Sequence, residues 1–329
     1  YSHEIDKLLD KKSKILEIGS NDGFLTNQMI QRGHIARGVD PSKSMANIAL
    51  NRGVKTYNML FSAENIEYIK SDYGLVDVVL ANNVFNHANN PSGFTQSVSE
   101  ILKDDGIFVF ELPYWLRTIK DKKFDQIYHE HVTYFTVKYA YNLLKKHGFE
   151  IVDVQVVNYH GGSLRIVSRK KQNVTMSDDV KSMIQVEEDC RLFDTDMYDE
   201  FMNVLQRDRN KFMSKIYEIK NKGIPIIGIG AAAKANTFLN FYKIDNTILD
   251  YVTDASEYKK GKFTPLSRIP IVGDEVFSEY DKVYALILSW NISDMLVKKI
   301  KALNNKVEFL SLEELLWLIK MFGQIYKRH

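Results

Sequence analysis

Nine residues, "YHEHVTYFT" (128–136), set two histidines, a glutamate and two tyrosines almost side by side. Inside a fold each of these polar groups needs a partner. Neither the alternation of a strand nor the apolar stripe of a helix explains the cluster. Its residue types allow three kinds of chemistry. His129, His131 and Glu130 are metal-ligand types, although H-x-H with one carboxylate is sparse and the single cysteine, Cys190, builds no Cys-rich zinc site. A wet surface loop would tolerate the same residues. The third reading is proton transfer, for which an imidazole titrating near pH ~6.5 beside a carboxylate is well suited. Position favours the third. The cluster follows "ELPYW" at a predicted strand end, so it can fold over the carboxyl edge where open α/β sheets bind ligands.

A second constellation is "LEIGSNDGFLTNQMI" (16–30), which reads as strand, polar glycine loop and helix. Gly19 and Gly23 permit a tight turn and close backbone approach. Asp40, followed by Pro41, ends the next strand roughly twenty residues on, placed to accept hydrogen bonds from two ribose hydroxyls. A nicotinamide-binding loop usually carries G-x-G-x-x-G, whereas here Ser20, Asn21 and Asp22 separate the glycines. Glu17 and Asp22 would repel a diphosphate but suit a cationic ligand. S-adenosylmethionine has a sulfonium, an ammonium and no phosphate. The loop therefore favours a methyltransferase over an NAD-dependent sugar enzyme, the competing view being an acidic loop that merely faces solvent. Two further loops agree in strand order. "FSAENI" (61–66), with Ala63 and Glu64, follows the third strand, where an adenine would lie. "ANNVFNH" (81–87), with Asn82, Asn83 and His87, follows the fourth, beneath the methionyl part.

The elements that must hold these loops are legible in outline. Strands are expected at 14–18, 35–40, 54–58, 76–82 and 106–112, with helices between them, the clearest at 93–105. This alternation predicts a mostly parallel sheet with helices on both faces, a Rossmann-like α/β domain. Runs at 149–158 and 163–170 are close enough to pair antiparallel at one end of it. Residues 176–222 are polar, poor in Gly and Pro and helically periodic. Strands then resume at 224–230, 249–254, 283–289 and 307–311, predicting a second doubly wound α/β domain. The expected organisation is a first domain over 1–172, a helical connector over 173–222 and a second domain over 223–329. At 329 residues there is chain enough for two cores, and apolar and charged fractions of 45% and 26% are those of an ordinary soluble protein. A net charge of +2 gives no reason to expect nucleic acid or an anionic membrane as partner. No apolar run approaches a membrane span, no signal peptide opens the chain, and one cysteine suits a reducing cytoplasm.

"LEIGSNDG", "ANNVFNH", "YHEHVTYFT", "HGGSLR" (160–165) and "GIGAAAKANTFLN" (228–240) occur in this order in the C-methyltransferases that act on nucleotide-linked 4-keto-deoxyhexoses, and the chain resembles that family from about residue 14 to 320. Sugar 3-C-methyltransferases are its best-known members. They usually begin with a small Cys-rich zinc-binding domain, which the residues here do not contain. The chain starts at Tyr1 rather than a methionine. The resemblance implies an S-adenosylmethionine-dependent enzyme whose Y-x-E-H motif is Tyr128, Glu130 and His131, with His87 as a further active-site residue. His129 falls on the motif's variable position, which removes a ligand from the metal reading, so no metal is expected. The implied reaction needs a C–H bond next to a ketone to lose its proton. His131 is the expected base and Glu130 its orienting partner. Tyr128 and His87 position the donor or hydrogen-bond the enolate oxygen, and Tyr128 is the next candidate for base. Alternatives are an O- or N-methyltransferase and a non-catalytic nucleotide-sugar-binding protein with a degenerate fold.

In the second half "GIGAAAKANTFLN" is no Walker A loop, since its spacing is G-x-G-x-x-x-K. It is still a strand, a small-residue turn (Gly230, Ala231, Ala232) and a helix start carrying Lys234 and Asn236. Free backbone N–H groups with a lysine suit a diphosphate, while small residues would also let helix and strand pack closely. The resemblance points to the nucleotide diphosphate of the sugar. In "HGGSLR", His160, Gly162, Ser163 and Arg165 are candidate substrate contacts, with a surface ion pair the equal alternative for Arg165. The expected partner is a nucleotide-linked keto-sugar, and the two domains are expected to close over it.

Overall fold

The computed structural model describes residues 1–9, 12–158, 161–171 and 173–310. They form two compact units, Tyr1–Asp121 with Glu130–Phe193, and Lys122–His129 with the chain from Asp194 onward.

The first unit runs α1 (Ser2–Asp6), β1 (Lys14–Ile18), α2 (Phe24–Gln31), β2 (Ile35–Val39), α3 (Lys43–Asn51), β3 (Thr56–Tyr57), α4 (Ala63–Tyr73), β4 (Val76–Asn82), α5 (Pro91–Ile101), β5 (Leu102–Pro113), α6 (Trp115–Lys120), α7 (Val137–Lys146), β6 (Phe149–Val157), β7 (Ser163–Lys170) and α8 (Asp178–Asp189). The strand order is β3-β2-β1-β4-β5-β7-β6, parallel except that β7 is antiparallel to both neighbours. The order reverses between β1 and β4, which opens a crevice at their carboxyl ends. Both faces of the sheet are covered, so β1 and β4 read as almost continuous apolar runs rather than alternating ones. Ile15, Val78, Leu80 and Val109 pack with Met29 on one face. Phe85, Phe94, Phe108, Phe110 and Phe135 form an aromatic layer with ring centroids 4.6–6.5 Å apart.

Three elements of this unit shift by two residues or more from the sequence expectation. The helix expected over 93–105 covers 91–101, because Asn90 caps Gly93 N (2.9 Å) and Pro91 supplies a preset first turn. Residues from Leu102 instead join β5, where Leu102 pairs with Val76 and the register shifts before Val78. β3 shrinks to Thr56–Tyr57, since it is an edge strand with a ladder on one side only.

The second unit contains α9 (Thr195–Asn221), β8 (Ile226–Ile229), α10 (Ala233–Tyr242), β9 (Tyr251–Thr253), β10 (Ile271–Val272), β11 (Tyr284–Ile287), α11 (Ser293–Leu303) and β12 (Glu308–Leu310), with a parallel sheet in the order β10-β9-β8-β11-β12. β10 has no counterpart among the expected strands, because two residues are too short to show a period. The polar stretch after residue 172 divides. α8 lies in the first unit, where the fully buried Glu187 accepts from Tyr114 Oη (2.9 Å) and from the N–H groups opening α7. α9 lies in the second, burying Phe212, Met213, Ile216 and Ile219.

Lys122–His129 also belongs to the second unit although it comes from the first half of the sequence. Phe124 packs on Phe241 (4.5 Å) and Tyr242 (6.0 Å) of α10, and Lys122 pairs with Asp208 of α9 at 2.7 Å. The chain therefore changes units between His129 and Glu130, inside "YHEHVTYFT" (128–136). Among the described residues no helix is long and apolar enough to cross a membrane.

Candidate active site

The loop after β1 is held by its own main chain. Gly19, Asn21 and Gly23 all take left-handed backbone, with φ of 67°, 51° and 73°. A Cβ on Gly23 would lie 2.8 Å from that of Ala49, so the loop packs on α3 only with glycine there. Its amides are largely committed. Gly19 N and Ser20 N donate to Val39 O, Asn21 N to Asp40 Oδ2 (2.9 Å), Gly23 N to Ser20 O and Phe24 N to Asp22 Oδ1. A diphosphate cradle needs such amides unspent. This loop instead presents carboxylates. Asp40 is buried and fixed by Asn21 N and Ser42 N (2.8 Å), leaving acceptor capacity on both oxygens. Glu17 is buried, accepts from Thr26 Oγ1, and burial pushes its carboxyl up to about 8. Asp22 pairs with Arg52 at 2.6 Å. Ser20 turns its hydroxyl inward against Gly38, where it is buried. Pro41, Ala63 and Glu64 are exposed. An acidic edge with few free amides fits a cationic, phosphate-free cofactor such as S-adenosylmethionine.

Beyond β4, Asn83 N donates to Glu111 O (2.6 Å), and the chain makes a single turn over Phe85–His87. Phe85 sinks this turn into the aromatic layer. The main-chain oxygen of Asn86 then accepts from Val132 N (3.0 Å) and Thr133 N (3.1 Å), and Trp115 N donates to Phe135 O (3.0 Å). These bonds bring the back half of "YHEHVTYFT" against the "ANNVFNH" turn. The rings of His87 and His131 come to 5.1 Å, nearly perpendicular. His87 is half-buried, and burial holds its pKa below the ordinary imidazole value against the opposing charge of Glu130. His87, Glu130 and His131 are thus assembled in one unit, while Tyr128 and His129 belong to the other. Among the described residues no three His, Cys, Asp or Glu side chains are grouped to hold a metal.

The structure also adds a residue to this edge. Tyr1 is partly buried, its hydroxyl donating to Asn82 Oδ1 (2.8 Å) and its ring 4.8 Å from the Arg165 guanidinium, and desolvation raises its phenol. No motif contains Tyr1, so spacing offers no way to find it. Arg165, expected as a substrate contact or a surface ion pair, is a largely buried ion pair with Glu111 (2.9 Å), its cross-strand partner on β5. Ser163, expected to touch substrate, has no exposed surface because it starts β7 between β5 and β6. Gly162, at φ 114°, accepts from Tyr114 N. His160 lies outside the described residues.

In the second unit, Gly230 N donates to Thr253 O, and Ala231 N donates to Asp254 Oδ2 (3.0 Å). Ala231 is therefore not the free donor that the sequence implied. Asp254, missed in the sequence, also takes Lys259 Nζ (2.9 Å). α10 then opens behind Ala232 with no side-chain cap, its Ala235 N donating instead to Ala232 O (3.0 Å). Asn236 is half-exposed in its first turns. Lys234 lies 4.3 Å over the Trp290 ring and bonds Asn291 Oδ1. Its burial lowers the ammonium to about 8, with Asp125 pulling the other way. Trp290 Nε1 donates to the buried Asp125 at 2.6 Å.

Comparison with known proteins divides the chain in two. Residues 1–154 match a methyltransferase domain and residues 158–311 a C-methyltransferase C-terminal domain. The C-methyltransferase NovU of Streptomyces niveus is 30% identical over 297 residues, covering 90% of this chain and 69% of that protein. A ubiquinone biosynthesis O-methyltransferase of Coxiella burnetii is 24% identical over 144 residues, which span 43% of this chain and 57% of that one. The structure of magnesium protoporphyrin IX methyltransferase from Synechocystis PCC 6803 with bound S-adenosylhomocysteine superposes at a TM-score of 0.42 with 14% identity, over 52% of this chain and 81% of that one.

Proposed function

Because the chain belongs to the C-methyltransferase family and takes its methyl group from S-adenosylmethionine, we propose that it methylates a nucleotide-linked 4-keto-deoxysugar at the carbon next to the ketone, with His131 as the base. A C-methyltransferase must make a carbon nucleophilic, and this is what separates it from the O- and N-transferring alternatives. The observation that carries the reading is the pairing of His87 with His131 beside Glu130 at the carboxyl edge of the first sheet.

When bound, S-adenosylmethionine supplies an electrophilic methyl group on a sulfonium. The protein's residues do the rest. Asp40, held by two backbone donors, receives the ribose hydroxyls, and Glu17 gives up its proton as the ammonium binds beside it. His131 takes the proton alpha to the ketone, and the C–H electron pair passes into the enolate. Glu130 orients the imidazole and stabilises its cation. His87 is kept neutral by burial, so it can donate one ring N–H to the enolate oxygen rather than a proton, and Tyr128 supplies a second donor. On the second unit, Lys234 and the uncapped start of α10 receive the diphosphate of the same substrate. The test is solvent-deuterium exchange into the keto-sugar, which reports enolisation apart from methylation. In His131→Asn both should fall by about 10²–10⁴ in kcat with both ligands still bound. Undiminished exchange with lost methylation would transfer the base role to Tyr128.

A further inference from the structure

Resting on that reading of Lys234, we infer that Asp125 is a positioning residue that latches the strand of chain carrying Tyr128 to the lysine receiving the diphosphate, with Trp290 as the link. Asp125 lies in the short turn Phe124–Gln126, three residues before Tyr128 and wholly within the second unit. Burial leaves Asp125 only 2% exposed. Its defined partner is the indole N–H of Trp290 at 2.6 Å. The ring of that same indole carries Lys234 at 4.3 Å and Lys123 at 5.5 Å on its π-system. One aromatic ring is thus gripped at its edge by the strap and on its face by the lysine. Trp290 is itself placed by the turn that follows β11, the neighbour of β8 in the sheet. The strap has two further attachments, Lys122 to Asp208 at 2.7 Å and Phe124 to the aromatic face of α10. These fix its near end and its middle. The bond from Asp125 lies three residues before Tyr128 and holds the chain that leads to it. A merely structural carboxylate could bond any nearby amide. Here it bonds the residue on which the anion-binding lysine rests, so Lys234 and the chain leading to Tyr128 are held by one short chain of contacts within the second unit.

The experiment uses the full chain and Asp125→Ala, Asp125→Asn and Trp290→Phe. Hydrogen exchange read by mass spectrometry comes first, since it needs no substrate. Asp125→Ala and Trp290→Phe should both raise exchange in 122–131 while the amides of β1, β4 and β8 keep wild-type protection. In turnover, each should lower kcat about ten- to hundredfold, the scale of a lost hydrogen bond to a charged group, with S-adenosylmethionine affinity unchanged. Asp125→Asn keeps an acceptor for the indole and should recover most of kcat. The double variant Asp125→Ala/Trp290→Phe should be no slower than the worse single one. Wild-type exchange in 122–131 in both variants overturns the latch. So do additive losses in the double variant, or a kcat loss that Asp125→Asn does not recover. If Lys234→Ala leaves pyrophosphate affinity intact, the substrate reading fails instead. The latch is still judged by exchange in 122–131.

Discussion

Glu17 gives the most direct test of the cofactor site, because it is a buried carboxyl at the edge that should meet a cation. Burial raises it to about 8, and the neighbouring charges of Asp22 and Asp40 add to the shift. A carboxyl titrating there is about 0.9 protonated at pH 7. Binding an ammonium beside it favours the charged form, so the complex should release close to that fraction of a proton at pH 7. The sign follows from linkage: affinity for S-adenosylmethionine should rise about tenfold per pH unit up to about 8, since the free protein holds a proton that the complex lacks. An α-ammonium of ordinary basicity, about 7.7–8.0, loses its own proton in the same range, so affinity should then peak and decline. Calorimetry in buffers of differing ionisation enthalpy measures the proton count, and its pH series measures the slope. Glu17→Gln keeps the shape and an acceptor for Thr26, removes the proton, and should flatten the acid limb while leaving the alkaline one. A wild-type curve without an acid limb, or an acid limb that survives in Glu17→Gln, would refute the assignment. The same shift has a stability consequence. A raised carboxyl stabilises the fold below its unfolded value of 4.5, and that contribution is lost as pH rises through about 8. Glu17→Gln should therefore gain thermal stability relative to wild type at pH 9 and not at pH 4.

Asp40→Asn should weaken cofactor binding by about 1.5–3 kcal/mol, measured by calorimetry, since one amide cannot accept from both backbone donors and a ribose as the carboxylate does. Lys234→Ala should raise the sugar-nucleotide KM and leave S-adenosylmethionine affinity intact. In the wild type, pyrophosphate affinity should fall as pH rises through about 8, where the lysine loses its proton. Glu130→Gln should lose less turnover than His131→Asn, because an amide can still hold the imidazole. His129→Asn should change kcat little, and a large loss rescued by added metal would revive a metal reading of the motif.

Much of the first sheet is determined by local sequence. Its strands are apolar runs separated by Gly, Asn and Asp turns, and β1, β4 and β7 begin and end where the alternation of residue types says they should. The carboxylates at the carboxyl edge are legible for the same reason, since Glu17 lies in β1 and Asp40 directly follows the last residue of β2. What the residues after β1 do with their amides is not written in their types. Only the folded loop commits them to Val39, Asp40 and Ser20, and so argues against a phosphate ligand. Tertiary structure also decided which polar groups remain available. Ser163 and Arg165 look alike as surface candidates in "HGGSLR", but β7 lies between two strands, so one is buried and the other is paired with Glu111. Tyr1 enters the edge through a contact 81 positions away in sequence, with no period to announce it. The division of the motif between two units is likewise a matter of packing. Phe124 finds its apolar partners on α10, more than a hundred residues later, and burying that ring outweighs the sequence proximity of the strap to the first sheet.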